Sequence, residues 1–169
     1  MDFKQLFEKG ISFEKFIELD EDTNREKTLE LYENIVLEEE LIQRIRQIQT
    51  PIKILAFAEI WCPDCMINVP ALQKMKAINE EIQMTILPRE GNEEVMENYK
   101  LGGKPKIPTF IVMNEMYQEL GFFIEMPKTL KDIAARGNQV EVIVGKRKYR
   151  KGEYIRDTIK EILNIIDVK

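Results

Sequence analysis

The sequence contains no histidine. The commonest metal ligand and the commonest general base are therefore both missing, and chemistry built on an imidazole is excluded. Cysteine is almost as scarce, with Cys62 and Cys65 the only two. Two thiolates are half of a four-ligand metal site, and with no histidine a second copy of the chain would have to bring the rest. No segment approaches the roughly 20 apolar residues of a membrane span. Met1-Asp2-Phe3-Lys4-Gln5 has neither the basic start nor the uninterrupted apolar stretch of a signal peptide. A cytoplasmic location is the expectation. Positive charge is also short: a net charge of −5 and a pI near 5.1 give a field that repels nucleic acid and anionic membrane as main partners.

What is present is ordinary globular material, 169 residues of which 44% are hydrophobic, enough for one sizeable core. Both cysteines stand in Trp61-Cys62-Pro63-Asp64-Cys65. Before this motif, Ile52 to Ile60 is dense in apolar residues and too short for a typical helix, which predicts a buried strand. After it a helix is predicted from Pro63, whose missing N–H is an orphan at the first helical position anyway, to about Ile78. Ile67, Leu72, Met75 and Ile78 supply its apolar face, and Pro70 should kink it by removing a backbone hydrogen bond. Two intervening residues let both sulfurs share the first helical turn. There they are close enough to form a disulfide and lie near unsatisfied N–H groups that favour a thiolate. In a compartment that keeps thiols reduced, such a lone pair is catalytic or metal-binding rather than a staple.

The remaining chain divides into residues 1–50, 51–136 and 137–169, read together as one compact domain. The first fifty are expected to be a helical cover. Phe3, Leu6 and Phe7 form a stripe closed by Gly10, and Ser12 caps a helix burying Phe13, Phe16 and Ile17. One long helix is then predicted from about Arg25, carrying Leu29, Tyr32, Val36, Leu37, Leu41, Ile45 and Ile48 to a stop at Pro51. Beyond the motif, Gln83–Leu87 reads as a strand parallel to the first, which makes a βαβ unit. Asn92–Tyr99 is a short helix, and residues 101–106 are a loop that Gly102, Gly103 and Pro105 keep out of regular structure. Ile107–Met113 and Glu119–Ile124 form a hairpin, and a helix follows from Pro127 through Ile133 to Gly137 and Asn138. Val140, Val142 and Val144 alternate as a strand would, and equally fit a prolongation of that helix. The basic run Lys146–Lys151 reads as a solvated connector, with contact to an acidic protein or polyanion as the other reading. Ile155, Ile159, Ile162, Leu163 and Ile166 mark an amphipathic terminal helix.

In this order the elements resemble the thioredoxin superfamily over roughly residues 50–136. The resemblance rests on the strand, the Trp-Cys-Pro-Asp-Cys motif, Pro70 eight residues after Cys62, and Ile107-Pro108-Thr109 opening a hairpin. More narrowly, the motif is similar to that of bacterial thioredoxin-like proteins with added helices. The resemblance implies an α/β fold with a central mixed four-stranded sheet flanked by helices, extended by an N-terminal helical segment and a C-terminal helix. It makes Cys62 the exposed nucleophile and Cys65 the buried resolving cysteine. Pro108 becomes the cis-proline facing the dithiol, with Ile107 and Thr109 beside it and the preceding backbone free to pair with a substrate peptide. Trp61 matches the aromatic beside the nucleophile, and Pro63 and Asp64 are the residues between the cysteines. Two positions depart from the family. Ala56 stands where its buried proton-relaying aspartate belongs, leaving Glu59 or solvent to replace it; an ordinary solvated or ion-paired carboxylate is the other reading of Glu59. Glu125 or Met126 stands where the family has a glycine.

The implied activity is thiol–disulfide exchange through a redox-active Cys62–Cys65 pair, with no other cofactor. The reductase direction is favoured, because the Asp64 carboxylate within a turn of both sulfurs disfavours the thiolate and so the reduced form's stability. The helix dipole also favours an acid at Asp64. Lys104, Lys106 and Arg89 would offset its charge in part if their loops face the site. A reduction potential of about −270 mV or lower is expected. Substrates would be disulfide-bearing proteins or small molecules, and electrons would come from a thioredoxin-reductase-like flavoprotein or a low-molecular-weight thiol. The competing readings are a non-enzymatic thioredoxin-fold interaction protein and a dimer that binds a metal or cluster.

Overall fold

Four helices precede the first strand in the computed structural model, which describes residues 2–167. The first residue of the expected N-terminal segment and the last two of the C-terminal one lie outside it. Helix α1 (Phe3–Lys9) is capped by the Asp2 carboxylate, which accepts from the Gln5 N–H, and α2 (Phe13–Ile17) by the Ser12 hydroxyl. Between them Ile11 forms a reciprocal backbone pair with Ile86, at 2.9 and 2.8 Å. This contact sits on what would otherwise be an open sheet edge, the kind of edge that invites another chain to pair.

The single long helix expected from about Arg25 is instead two helices, α3 (Thr23–Glu33) and α4 (Glu39–Arg46). No glycine or proline separates them, so packing decides the break. Leu31 and Ile35 are buried on one side of the turn and Leu41 and Ile45 on the other, while Val36, placed on the apolar stripe from sequence, is 87% exposed. Past this break Asn79 ties the cover down, its side-chain N–H₂ donating to the carbonyls of Ile45 and Ile48, both at 2.8 Å.

Strand β1 (Ile52–Phe57), helix α5 (Pro63–Ile78) and strand β2 (Ile82–Leu87) make the expected βαβ unit, with Ile52 opposite Ile82 and Phe57 opposite Leu87. α5 runs through Pro70 without interruption. Helix α6 (Glu93–Met96) is shorter than anticipated. The loop expected over residues 101–106 proves to be a miniature hairpin, β3 (Lys100–Leu101) against β4 (Lys104–Pro105). Gly102 and Gly103, at φ 62° and 79°, supply the two positive-φ residues that a two-residue hairpin turn requires. Strands β5 (Thr109–Met113) and β6 (Glu119–Ile124) complete a four-stranded mixed sheet in the order β2-β1-β5-β6. Ile54, Leu55, Ala56 and Phe57 have no exposed surface, as a central strand covered on both faces demands.

Helix α7 (Lys128–Ala135) ends at Gly137, whose φ of 72° stops helical propagation. Val140, Val142 and Val144 belong neither to a strand nor to its prolongation. They lie in a separate helix, α8 (Gln139–Arg150), which starts where the Asn138 carboxamide oxygen accepts from the N–H groups of Val140 and Glu141. The basic run is the end of this helix, where positive charge complements the dipole, rather than a connector. Terminal helix α9 (Ile155–Asp167) buries its apolar stripe against α5 and β6.

Gly10 offers a direct test of how tightly α1 is seated. A Cβ there would lie 2.0 Å from the Thr85 hydroxyl oxygen on β2. Gly10→Ala is expected to lower stability by about 1–3 kcal/mol in urea unfolding, as overpacking does. Thr85→Ala in the same background should recover part of the loss.

Candidate active site

Cys62 is the N-cap of α5, with extended backbone at φ −81° and ψ 121°, and Pro63, Asp64 and Cys65 fill the first turn. The geometry arises where β1 stops. The Ala58 N–H still bonds to β2 at the Leu87 carbonyl, after which the Cys62 N–H turns back to the Glu59 carbonyl at 3.1 Å and the helix begins. Both cysteines are free thiols, Cys65 fully buried and Cys62 7% exposed, while Trp61 beside them is 59% exposed. Across from them the Ile107–Pro108 peptide bond is cis. The Cys62 thiol donates to the Ile107 carbonyl at 3.8 Å. Thr109 is buried, and its hydroxyl donates to the Lys106 carbonyl at 2.6 Å, which fixes the chain just before the proline.

The two thiols are driven apart in acidity. Cys62 is lowered, chiefly because the Cys65 S–H donates to its sulfur, helped by backbone N–H groups of Cys65 and Asp64 and opposed by burial and the Asp64 charge. Cys65 is raised well above an ordinary thiol, first by burial and then by its hydrogen bond and charge coupling to Cys62. Of the pair Cys62 is the thiol that ionises more readily; it is itself buried rather than exposed as the resemblance implied, though less completely than Cys65.

Asp64 is held by partners that sequence reasoning did not single out. Its Oδ1 accepts from the Tyr149 hydroxyl on α8 at 2.7 Å, and that hydroxyl accepts from Asn68 Nδ2 at 2.9 Å. Asn68, one turn along α5, also donates to the backbone carbonyls of Asp64 and Glu125, and its Oδ1 accepts from the Thr158 hydroxyl on α9 at 2.7 Å. Asn68 and Thr158 are fully buried and Tyr149 nearly so. Burial raises the Asp64 pKa, while the Tyr149 hydrogen bond and the Lys106 charge favour its carboxylate. The legible signal in sequence was a polar residue standing on an apolar helix face, Asn68 on α5 and Thr158 on α9. Tyr149 gave none, hidden among six residues of which the other five are basic.

Ala56 is buried opposite Ile86 on one side and Phe110 on the other, an environment in which a carboxylate would be charged and unpaired. Glu59 keeps its carboxylate near Glu90 and Arg89; burial first, then Glu90, raises its pKa. It meets Cys65 through its backbone N–H, whereas the acid whose charge couples to both thiols is Asp64. Of the three cations expected near the site, Lys106 acts on Asp64 and pairs with Glu125 at 3.9 Å, Arg89 sits with Glu59, and Lys104 is exposed on β4. Glu125 takes the glycine's place with a glycine-like φ of 69°. Its N–H donates to the Pro108 carbonyl at 2.7 Å and its carbonyl accepts from Asn68, so both ends of this residue are pinned. Among the described residues no group of three or more cysteine, aspartate or glutamate side chains is placed to hold a metal ion.

Comparisons with known proteins agree with this architecture. A family model described as Thioredoxin matches residues 10–141. A crystal structure of a protein of unknown function from Pseudomonas aeruginosa superposes with a TM-score of 0.86 at 24% identity, covering 99% of this chain and 98% of its own. An HIV epitope-scaffold superposes with the same TM-score and identity, covering 100% of this chain and 99% of its own. At that identity the likeness shows the fold. No curated protein matches the chain.

The coupling between Asp64 and the thiols can be read from Cys62 itself. Asp64→Asn removes a charge that disfavours the thiolate, so iodoacetamide should alkylate Cys62 at pH 6 faster by a factor of about three to ten, as one charge a turn away in a partly screened site allows. Tyr149→Phe withdraws a hydrogen bond from the Asp64 carboxylate and should move the rate the same way by less. The double variant should match Asp64→Asn alone, since Tyr149 acts through Asp64.

Proposed function

The chain belongs to the thioredoxin family, and from that membership we propose that it is a thiol–disulfide oxidoreductase that reduces disulfides through Cys62 and Cys65. The observation that carries this reading is the opposite displacement of two neighbouring thiols on one helical turn, facing the Ile107–Pro108 backbone.

In the proposed cycle the Cys62 thiolate attacks one sulfur of a substrate disulfide. A Cys62–substrate disulfide forms, the substrate's own S–S bond breaks, and the departing sulfur takes a proton. The raised Cys65 pKa keeps the second thiol protonated until then. Once Cys62 is bonded to substrate it carries no negative charge, so the coupling that raised Cys65 is relieved and its proton is released to solvent. The Cys65 thiolate then attacks the Cys62 sulfur, the Cys62–Cys65 bond forms, and the second substrate thiol leaves. Two electrons pass from dithiol to substrate. A low-molecular-weight thiol or a flavoprotein reductase would return them, in the cytoplasm. Asp64 supports the reducing direction, because its charge raises both thiols and so weakens the reduced form, and a potential of about −270 mV or lower follows on the family's scale.

A second reading, an interaction protein on this fold, draws on the exposed apolar residues Val140 and Ile143 of α8. The two part on one variant. Cys62→Ser is expected to lower reduction of hydroxyethyl disulfide by at least about a thousandfold, the scale of losing a covalent nucleophile. Cys65→Ser should accumulate a mixed disulfide on Cys62. A cellular phenotype that Cys62→Ser fully rescues would favour the interaction reading. Equilibration with glutathione that places the pair above about −200 mV would remove the reductase direction.

A further inference from the structure

Beside the dithiol lies a cavity of about 300 Å³ that the exchange chemistry leaves unused. Pro63 and Asp64 of the motif itself line it. Ile67 of α5, Leu130 and Ile133 of α7 and Val142 of α8 give it apolar walls. The α7–α8 pair, inserted between β6 and the terminal helix, therefore builds a second wall facing the helix that bears the cysteines. Along α8, Val142, Lys146 and Arg150 recur every fourth residue and so share one face, with the half-buried apolar residue first and the two exposed cations further along.

Charge distinguishes this cavity from a packing defect. Lys146 and Arg150 are exposed, line it, and form no ion pair among the described residues. The one acid in the lining, Asp64, is already hydrogen-bonded by Tyr149. On a chain with a net charge of −5, a pair of unmatched cations at the edge of an apolar hollow is a local reversal of sign. A few charged groups bordering an apolar recess is the usual composition of a site that orients what it binds.

We propose that this cavity is a specificity pocket for protein substrates, taking a bulky apolar side chain close to the substrate's disulfide while Lys146 and Arg150 bind an acidic residue beside it. The proposal rests on the oxidoreductase reading. Pro63, an exposed residue of the cavity lining, directly follows Cys62, so a segment bonded to Cys62 passes close to the cavity. The volume admits one large apolar side chain with room to spare, and an extended segment brings an adjacent carboxylate to the cations. Burying that side chain next to the reacting sulfur contributes binding that a small disulfide cannot draw on.

Synthetic peptides carrying one cysteine as its thionitrobenzoate disulfide test this, with the residues beside the cysteine set as Phe and Glu, Ala and Glu, or Phe and Lys. Initial rates are divided by each enzyme variant's own rate with hydroxyethyl disulfide. The Phe-and-Glu peptide is expected to exceed each of the others by about tenfold, the factor of a single side-chain contact in such a pocket. Ala134 is exposed and lines the cavity, so Ala134→Trp fills it from a tolerant position and should erase the Phe-over-Ala ratio. Lys146→Glu with Arg150→Glu, both on the surface, should reverse the Glu-over-Lys ratio. Equal ratios across all peptides, or ratios unmoved by these variants, overturn the pocket and leave the oxidoreductase standing. Loss of reduction toward every disulfide, hydroxyethyl disulfide included, overturns both.

Discussion

One buried amide holds the working parts together. Asn68 sits on the helix that begins with the cysteines, and its carboxamide reaches α8 through Tyr149, α9 through Thr158 and the end of β6 through the Glu125 carbonyl. Asn68 and Thr158 are fully buried and Tyr149 nearly so. An unmet partner would cost about 1–3 kcal/mol, so the network is stable only when complete. The C-terminal helices are thereby committed to one position against the motif. Tyr149 can then reach Asp64, and Glu125 can hold the Pro108 carbonyl opposite Cys62.

From that placement the electrostatics of the site follow. The Cys65 thiol and the N–H groups of the helix N-terminus favour charge on the Cys62 sulfur, and the Asp64 carboxylate two residues further along disfavours it. Burial raises the pKa of that carboxylate, and Tyr149 and Lys106 oppose the rise. Charge on the Cys62 sulfur is thus favoured against an opposing charge that is supported from α8 and from the loop before Pro108. Changing either support changes the balance without touching a sulfur. The cavity between α5, α7 and α8 is a product of the same arrangement, since the helix that delivers Tyr149 also supplies its wall.

Much of this could be read from the chain. The parallel pair of strands, the helix starting at Pro63, the hairpin behind Pro108 and the terminal helix each have a local signal, in apolar periodicity or in a proline or glycine at an element boundary. Where reading failed, the deciding contact was distant. The break between α3 and α4 has no glycine or proline to announce it. The Gly102-Gly103 pair was taken as a disruptor, whereas positive φ at both made it a hairpin turn. Val140, Val142 and Val144 carry period-two spacing, but the Asn138 cap starts a helix there. At the site, the cysteines and Pro108 were legible, and Tyr149 was not, since its partner lies 85 residues away in sequence. Glu125 shows the same limit in reverse: side-chain identity argued against a glycine-like backbone that tertiary hydrogen bonds nevertheless hold.

The fold places two chemically identical thiols in surroundings that drive their acidities apart. Carbon-13 NMR of the reduced protein, labelled at cysteine Cβ and followed from pH 5 to pH 11, reads both thiols in one sample. Cys62 is expected to titrate below the ordinary thiol value of about 8.5, and Cys65 well above it. Two coincident titrations near that value, or Cys65 ionising first, would contradict the account.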